Sequence, residues 1–214
     1  MMKRILAVMM VFVMIFSCIP VFANAEEAAN AGGTTYYVSS LNGAEGNDGT
    51  SEEAPFKSLL KINEITLQPG DKVLLERGSV FVDEYLHVKG SGTEEAPIII
   101  DVYGDDNAPK PLIQTNGKGI WYQDYEMSLD NRNHQYQGNV SSCILLFDVE
   151  FIEISNIAMT NEGNFAAGEV YNTARRMDRT GVAGVAKDKG TVDHIYLKKQ
   201  TSLALEYKMK QSKG

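Results

Sequence analysis

Cysteine is nearly absent from this chain: its 214 residues hold two. Cys18 lies in an apolar leader and Cys143 stands alone beyond it, so the chain that follows the leader has no internal disulfide. Its stability must rest on packing rather than on cross-links. Long apolar runs are missing too. Beyond the leader no segment approaches the roughly 20 apolar residues that cross a bilayer, so the mature chain has no transmembrane segment. There are three histidines, His87, His134 and His194, and they form no metal cluster. No zinc spacing and no phosphate loop is present, and the glycines fall at turns, where positive φ or tight coiling accounts for them. Basic residues are outnumbered, 20 against 28 acidic ones, for a formal charge of -8. An acidic surface repels phosphates, which argues against a nucleic-acid partner.

What is present begins with a leader. Lys3 and Arg4 precede an apolar run from Ile5 to Phe16, and Ala23-Asn24-Ala25 supplies small residues around a cut. This reads as a secretory signal peptide over residues 1–25. The run is too short for a retained anchor, and the residues around Ser17-Cys18 fit lipidation poorly. The mature chain then starts at Glu26 with a charge of -10, because Lys3 and Arg4 leave with the leader. A chain of that length can bury a real core. A secreted or cell-surface location follows.

Residues 26–33 are small and polar and read as a flexible leader. Thr34 to Val38 is β-branched and aromatic, a strand pattern. A Gly/Asn/Asp-rich loop covers Asn42 to Ser51. From Phe56 to Ile65 the period changes, with Phe56, Leu59, Leu60 and Asn63 at helical spacing, so a short amphipathic helix is expected after Pro55. Residues 34–69 thus hold a strand, a loop and a short helix, closed by a turn at Pro69-Gly70. From residue 70 to 197 short β-rich runs follow one another. They are Lys72–Glu76, Tyr85–Val88, Pro97–Tyr103, Leu112–Gln114, Cys143–Phe147, Phe151–Ile157, Val182–Val185 and His194–Leu197. Leu86/Val88, Ile98/Ile100 and Ile152/Ile154 each alternate with their neighbours, as strands with one buried face do. Two-residue hairpin turns are lacking, turn lengths are unequal, and a long insert covers 117–139. These features favour an all-β solenoid of five or six rungs, each of about 20 to 25 residues. A β-sandwich remains the alternative on composition.

Several segments resemble the opening of secreted right-handed parallel β-helix proteins of the pectate-lyase-like superfamily. They are Tyr36-Tyr37-Val38, Gly46-Asn47-Asp48-Gly49-Thr50, Ala54 to Leu59, Pro69 to Leu75, Gly78 to Phe81, Lys89 to Thr93, Ala96 to Ile100, Tyr103-Gly104, Arg179 to Val182 and Asp193 to Leu197. The resemblance covers residues 34 to 197. It implies a right-handed parallel β-helix with an N-terminal α-helical cap that shields the first sheet edges. It also implies a secreted carbohydrate-active protein, a polysaccharide lyase or a glycoside hydrolase, with extracellular polysaccharide as its partner. The superfamily also contains epimerases and non-catalytic surface proteins, so the coil assigns no reaction. A non-catalytic glycan-binding or adhesion module is the other class.

A lyase acting on acidic sugars needs a base and positive charge, and a hydrolase needs two carboxylates flanking one bond. No catalytic pair is recognisable. Arg175, Arg176 and Arg179 form the densest basic cluster before the tail and suit a sugar carboxylate, although a solvated turn is the plainer explanation. Trp121 and Tyr125 lie in the long insert, and exposed rings stack on sugar faces or anchor an insert. Asp105 and Asp106 offer oxygens for Ca2+, in no specific calcium-loop spacing, and a polar turn is the plain reading. Asp101 and Asp148 border buried-strand patterns. Asn156 and Asn161 suit polar stacking at turns. His87 sits in a strand pattern.

Residues 198–214 break the texture with five lysines against one glutamate, +4 beside about -14 for the rest of the mature chain. Two readings fit: a basic cap on the last rung, or a tail translated from a shifted frame. The second implies an N-terminal fragment of a longer protein, lacking the full active site.

Overall fold

The computed structural model describes residues 32–123, 139–162 and 178–202. The expected signal peptide over residues 1–25, most of the 117–139 insert and the tail beyond Ser202 lie outside these residues.

The strands follow the β-branched runs. They are β1 (Thr35–Val38), β2 (Lys72–Glu76), β3 (Val80–Val82), β4 (Leu86–Val88), β5 (Ile98–Tyr103), β6 (Leu112–Gln114) and β7 (Ile120–Tyr122). Then come β8 (Asn139–Phe147), β9 (Glu150–Ser155), β10 (Ala158–Thr160), β11 (Asp178–Val185), β12 (Asp193–Lys198) and β13 (Thr201–Ser202). They build three sheets. Sheet A runs β1-β2-β5-β9-β12, sheet B runs β13-β10-β6-β3, and sheet C runs β11-β8-β4. From β2 to β4 the chain visits A, B and C in turn, and every pairing along these three paths is parallel.

Parallel pairing in register stacks like on like. Val73 lies beside Ile100 and Ile100 beside Ile154 in sheet A. A second column joins Ile98, Ile152 and Ile195. Sheet B contributes Phe81, Ile113 and Met159, and sheet C contributes Leu86, Ile144 and Val182. All of these belong to or pack on one apolar core. Burying each such side chain contributes about 1.5–3 kcal/mol.

The expected right-handed parallel β-helix, with rungs of about 20 to 25 residues and an N-terminal α-helical cap, is corrected here. Rungs of even length are not found. Val73 pairs with Ile100, whereas Leu86 pairs with Ile144, a pass about twice as long. Turn lengths, not a repeat, set the spacing. Sheet C also carries an antiparallel strand, β7, on β8. The cap is a 3-10 helix over Leu59–Glu64, not an α-helix. Leu59 and Ile62 are its buried residues, and Phe56 and Ile65 pack on the core at the same spacing of three. Three residues per turn put such a series on one face. Leu60, counted in the α-helical stripe, is 41% exposed.

Two side chains fix this cap. The Ser58 hydroxyl accepts from Leu60 N at 3.1 Å, and a Glu84 carboxylate oxygen accepts from Leu59 N at 2.7 Å. Asn63 then covers the edge of sheet C. Its Oδ1 accepts from His87 N at 2.8 Å and its Nδ2 donates to Tyr85 O at 3.0 Å, so a side-chain amide pairs the β4 backbone as a strand would.

The break in texture at Lys198 does not end β pairing. Lys198 belongs to β12, and Thr201–Ser202 pair with Ala158 and Met159.

Candidate functional site

The site forms where β7 crosses the start of β8. Antiparallel pairing sets Ile120, Trp121 and Tyr122 opposite Ser141, Val140 and Asn139. On the other side of β8, Arg179 and Thr180 pair with Ser141 and Ser142. Trp121 and Arg179, far apart in sequence, therefore flank the same strand.

Polar side chains hold this junction. Trp121 Nε1 donates to Ser142 Oγ at 2.8 Å, and Ser142 Oγ shares a 2.8 Å hydrogen bond with Thr180 Oγ1. Asn161 ties three segments together. Its Oδ1 accepts from Gly117 N at 2.8 Å, and its Nδ2 donates to Ser141 O at 2.9 Å and to Thr180 O at 3.2 Å. Ser141 Oγ bonds to the Lys118 carbonyl. Ser141 and Ser142 have no exposed surface, so these bonds satisfy groups that water does not reach.

Two glycines let side chains lie flat on the β6–β7 connection. Gly117 has φ +79, and a Cβ there would stand 2.9 Å from a terminal nitrogen of Arg179. Gly119 has φ +58, and a Cβ there would stand 2.7 Å from the Tyr85 ring. Tyr85 in turn lies against His87, with ring centroids 4.5 Å apart. Burial lowers the pKa of His87, so the neutral imidazole is favoured. Tyr122 is 62% exposed at the outer end of β7.

Elsewhere on sheet C a cleft of about 420 Å3 opens beside β4 and β8, lined by His87, Lys89, Leu145, Phe147, Asp148 and Lys189 among others. Asp148 is held there by backbone. Burial pushes this carboxyl up, but the backbone N–H groups of Lys187, Asp188, Lys189 and Gly190 outweigh that and hold its pKa below the ordinary value. The Lys187 and Asp188 bonds measure 2.7 and 2.8 Å. A depressed folded pKa stabilises above the unfolded value of about 4 and loses that contribution as pH falls through the folded value. Asp148→Asn is expected to lower the melting temperature at pH 7, with the deficit against the parent chain narrowing below about pH 4. Melting curves from pH 2 to 8 check this.

The other expected residues lie elsewhere. Asp105 and Asp106 sit in the turn after β5. Asp105 Oδ1 accepts from Asn107 N at 2.9 Å and from its Nδ2 at 3.0 Å, and the backbone bond is the main cause of its lowered pKa. Asp106 faces Arg77 Nε at 3.5 Å. Among the described residues no group of three or more His, Cys, Asp or Glu is placed to hold a metal ion. Arg175, Arg176 and Tyr125 lie outside the described residues. Asn156 bonds Asp101 rather than another asparagine, at 2.8 Å. Cys143 is a buried free thiol whose pKa burial raises. Sequence reading does not give Ser141, Ser142, Thr180 and Asn161 a joint role. Their signal is four short polar residues bordering apolar β runs, which only pairing brings together.

No protein-family model matches this chain. It is 45% identical over 190 aligned positions to a lacto-N-biosidase of Bifidobacterium longum subsp. longum, an alignment that covers 77% of this chain and 12% of that one. The crystal structure of a GH136 lacto-N-biosidase from Eubacterium ramulus superposes with a TM-score of 0.70 at 50% identity, over 83% of this chain and 28% of that one. Its selenomethionine derivative gives the same values. The chain thus spans about an eighth of the curated relative and little more than a quarter of the solved one. Among the described residues no helix is long and apolar enough to cross a membrane. These matches correct the expected kinship: the likeness in sequence is to lacto-N-biosidases and that in fold to a GH136 lacto-N-biosidase, not to the pectate-lyase-like superfamily.

Proposed function

We propose that this chain is part of a secreted glycosidase of the lacto-N-biosidase type, acting on a glycan outside the cell. The identity of 45 to 50% over about four fifths of the chain carries this reading. The leader sequence supports export. Of the two chemistries expected from the sequence, hydrolysis agrees with the relatives and a lyase reaction finds no support among them. A hydrolase places two carboxylates about a glycosidic bond. The sheet C junction would contribute to holding the sugar, through the Trp121 and Tyr122 rings and the Arg179 guanidinium.

Trp121 is the only tryptophan in the chain, so its fluorescence reports on this junction alone. The test titrates the purified chain with lacto-N-biose, a neutral disaccharide, and follows that emission. A parallel assay measures lacto-N-biose release from an aryl lacto-N-bioside. Saturable quenching with release of the aryl group is the expected result. Binding without release would favour a glycan-binding module, and neither signal would overturn the reading.

A further inference from the structure

The outer face of sheet A carries a second set of side chains that the sheet C junction does not use. Inward residues Ile98, Ile100, Ile152 and Ile154 are fully buried, so Ile99, Asp101 and Glu153 project outward between them. Register places Ile99 beside Glu153 and Glu153 beside Tyr196. Tyr196 is 50% exposed. Lys198 Nζ stands 3.0 Å from Glu153 Oε2 and 5.8 Å from the Tyr196 ring centroid. One ammonium thus holds a ring and a carboxylate together, which reduces the ordering a ligand must impose.

The surroundings extend this surface. Phe151 and His194 stack at 4.4 Å with an interplanar angle of 14°. Asp101 lies one strand from Glu153 and two residues along. Strand spacing and rise put their Cα atoms roughly 8 Å apart. Asn156 Nδ2 donates to Asp101 Oδ1 at 2.8 Å and fixes that carboxylate.

We propose that this face, centred on Tyr196 and Glu153 with Asp101 at its edge, binds a neutral sugar. A sugar ring offers an apolar C–H face to an aromatic ring and hydroxyl donors around its rim. Tyr196 supplies the first partner, and the acceptor-only carboxylates supply the second. Glu153, Asp101 and Glu76 against Lys198 and Lys72 leave this face net negative, on a chain of net charge -8, which disfavours an anionic sugar. The inference rests on the glycosidase reading and adds a second contact surface to it.

Calorimetric titration of the whole chain with lacto-N-biose, and separately with trigalacturonate as the anionic probe, tests the proposal. The expected result is two sites for lacto-N-biose and weaker heat with trigalacturonate. Tyr196→Ala should weaken one site about tenfold and Glu153→Gln severalfold, while the Trp121 emission response persists. Both side chains are on the outer face, so both variants should melt near the parent. An unchanged isotherm in the two variants, with the Trp121 response intact, overturns this proposal and leaves the glycosidase reading standing. So does tighter binding of trigalacturonate. Absence of both the isotherm and the Trp121 response overturns both.

Discussion

Replacing Ile154 with alanine is expected to destabilise the chain by about 2–5 kcal/mol, which for this size lowers the melting temperature on the order of 10 °C. Ile154 has no exposed surface and belongs to the one apolar core. It pairs with Ile100 on one side and Leu197 on the other, so its neighbours come from other passes of the chain. Truncation removes the burial of several methyl and methylene groups and leaves a cavity. The surrounding strands cannot close it, because their hydrogen-bonded ladders fix the spacing. Ile154→Val keeps most of the volume and should cost only about 0.5–1.5 kcal/mol. Thermal or urea unfolding of the two variants checks the ordering. Equal effects would show that the column is not close-packed.

Asn161→Ala is expected to cost about 2–4 kcal/mol and to alter the Trp121 emission. The amide bonds Gly117, Ser141 and Thr180, which belong to three separate passages of the chain. Alanine leaves the Gly117 N–H and two carbonyls without these partners at a junction where Ser141 is wholly buried. Asn161→Asp keeps the acceptor for Gly117 but sets a carboxylate oxygen against the Ser141 and Thr180 carbonyls, so at neutral pH it should be at least as destabilising as alanine. Melting curves give the stability, and the emission maximum of the single tryptophan reports whether β7 has shifted against β8. Lost stability with unchanged emission would mean that Asn161 braces β11 without positioning Trp121.

Much of the strand content is legible in the sequence. The runs at 72–76 and 112–114 coincide with β2 and β6, and those at 97–103 and 194–197 lie within a residue of β5 and β12. β-branched alternation marks a half-buried strand wherever it occurs. The strands β3, β7 and β10 escape this pattern, each only three residues long. Length alone does not hide them, since β4 and β6 are equally short and are legible. The cap reads wrongly as an α-helix because Leu60 and Asn63 complete a plausible α-helical stripe. The competing series Phe56, Leu59, Ile62 and Ile65 recurs every three residues, the period that the burial follows. Alternation also fails inside β8, where the consecutive residues Cys143 and Ile144 both reach the core.

The candidate site is legible only in fragments. Trp121 and Arg179 stand out as separate features, and nothing local joins them. Asp101 and Asp148 both border strand patterns, yet Glu153 comes within a diagonal step of Asp101 on one face only through the β5–β9 pairing, which sets Ile99 beside Glu153. The alternating pairs Leu86/Val88 and Ile98/Ile100, close together in sequence, suggest one repeating face, whereas they belong to sheets C and A.

The sequence by itself determined the reliance on packing without disulfides and the places where most strands form. Each of these is a local property of composition and alternation. Tertiary structure alone decided which strands are neighbours, and with them the Trp121–Arg179 junction and the Tyr196–Glu153 face. The reason lies in the connections. Lengthening a loop twofold costs only about 0.6 kcal/mol in closure entropy, so the short pass from Val73 to Ile100 and the longer one from Leu86 to Ile144 are both tolerated. Register then follows from the packing of buried columns across the passes, which no window of the chain contains.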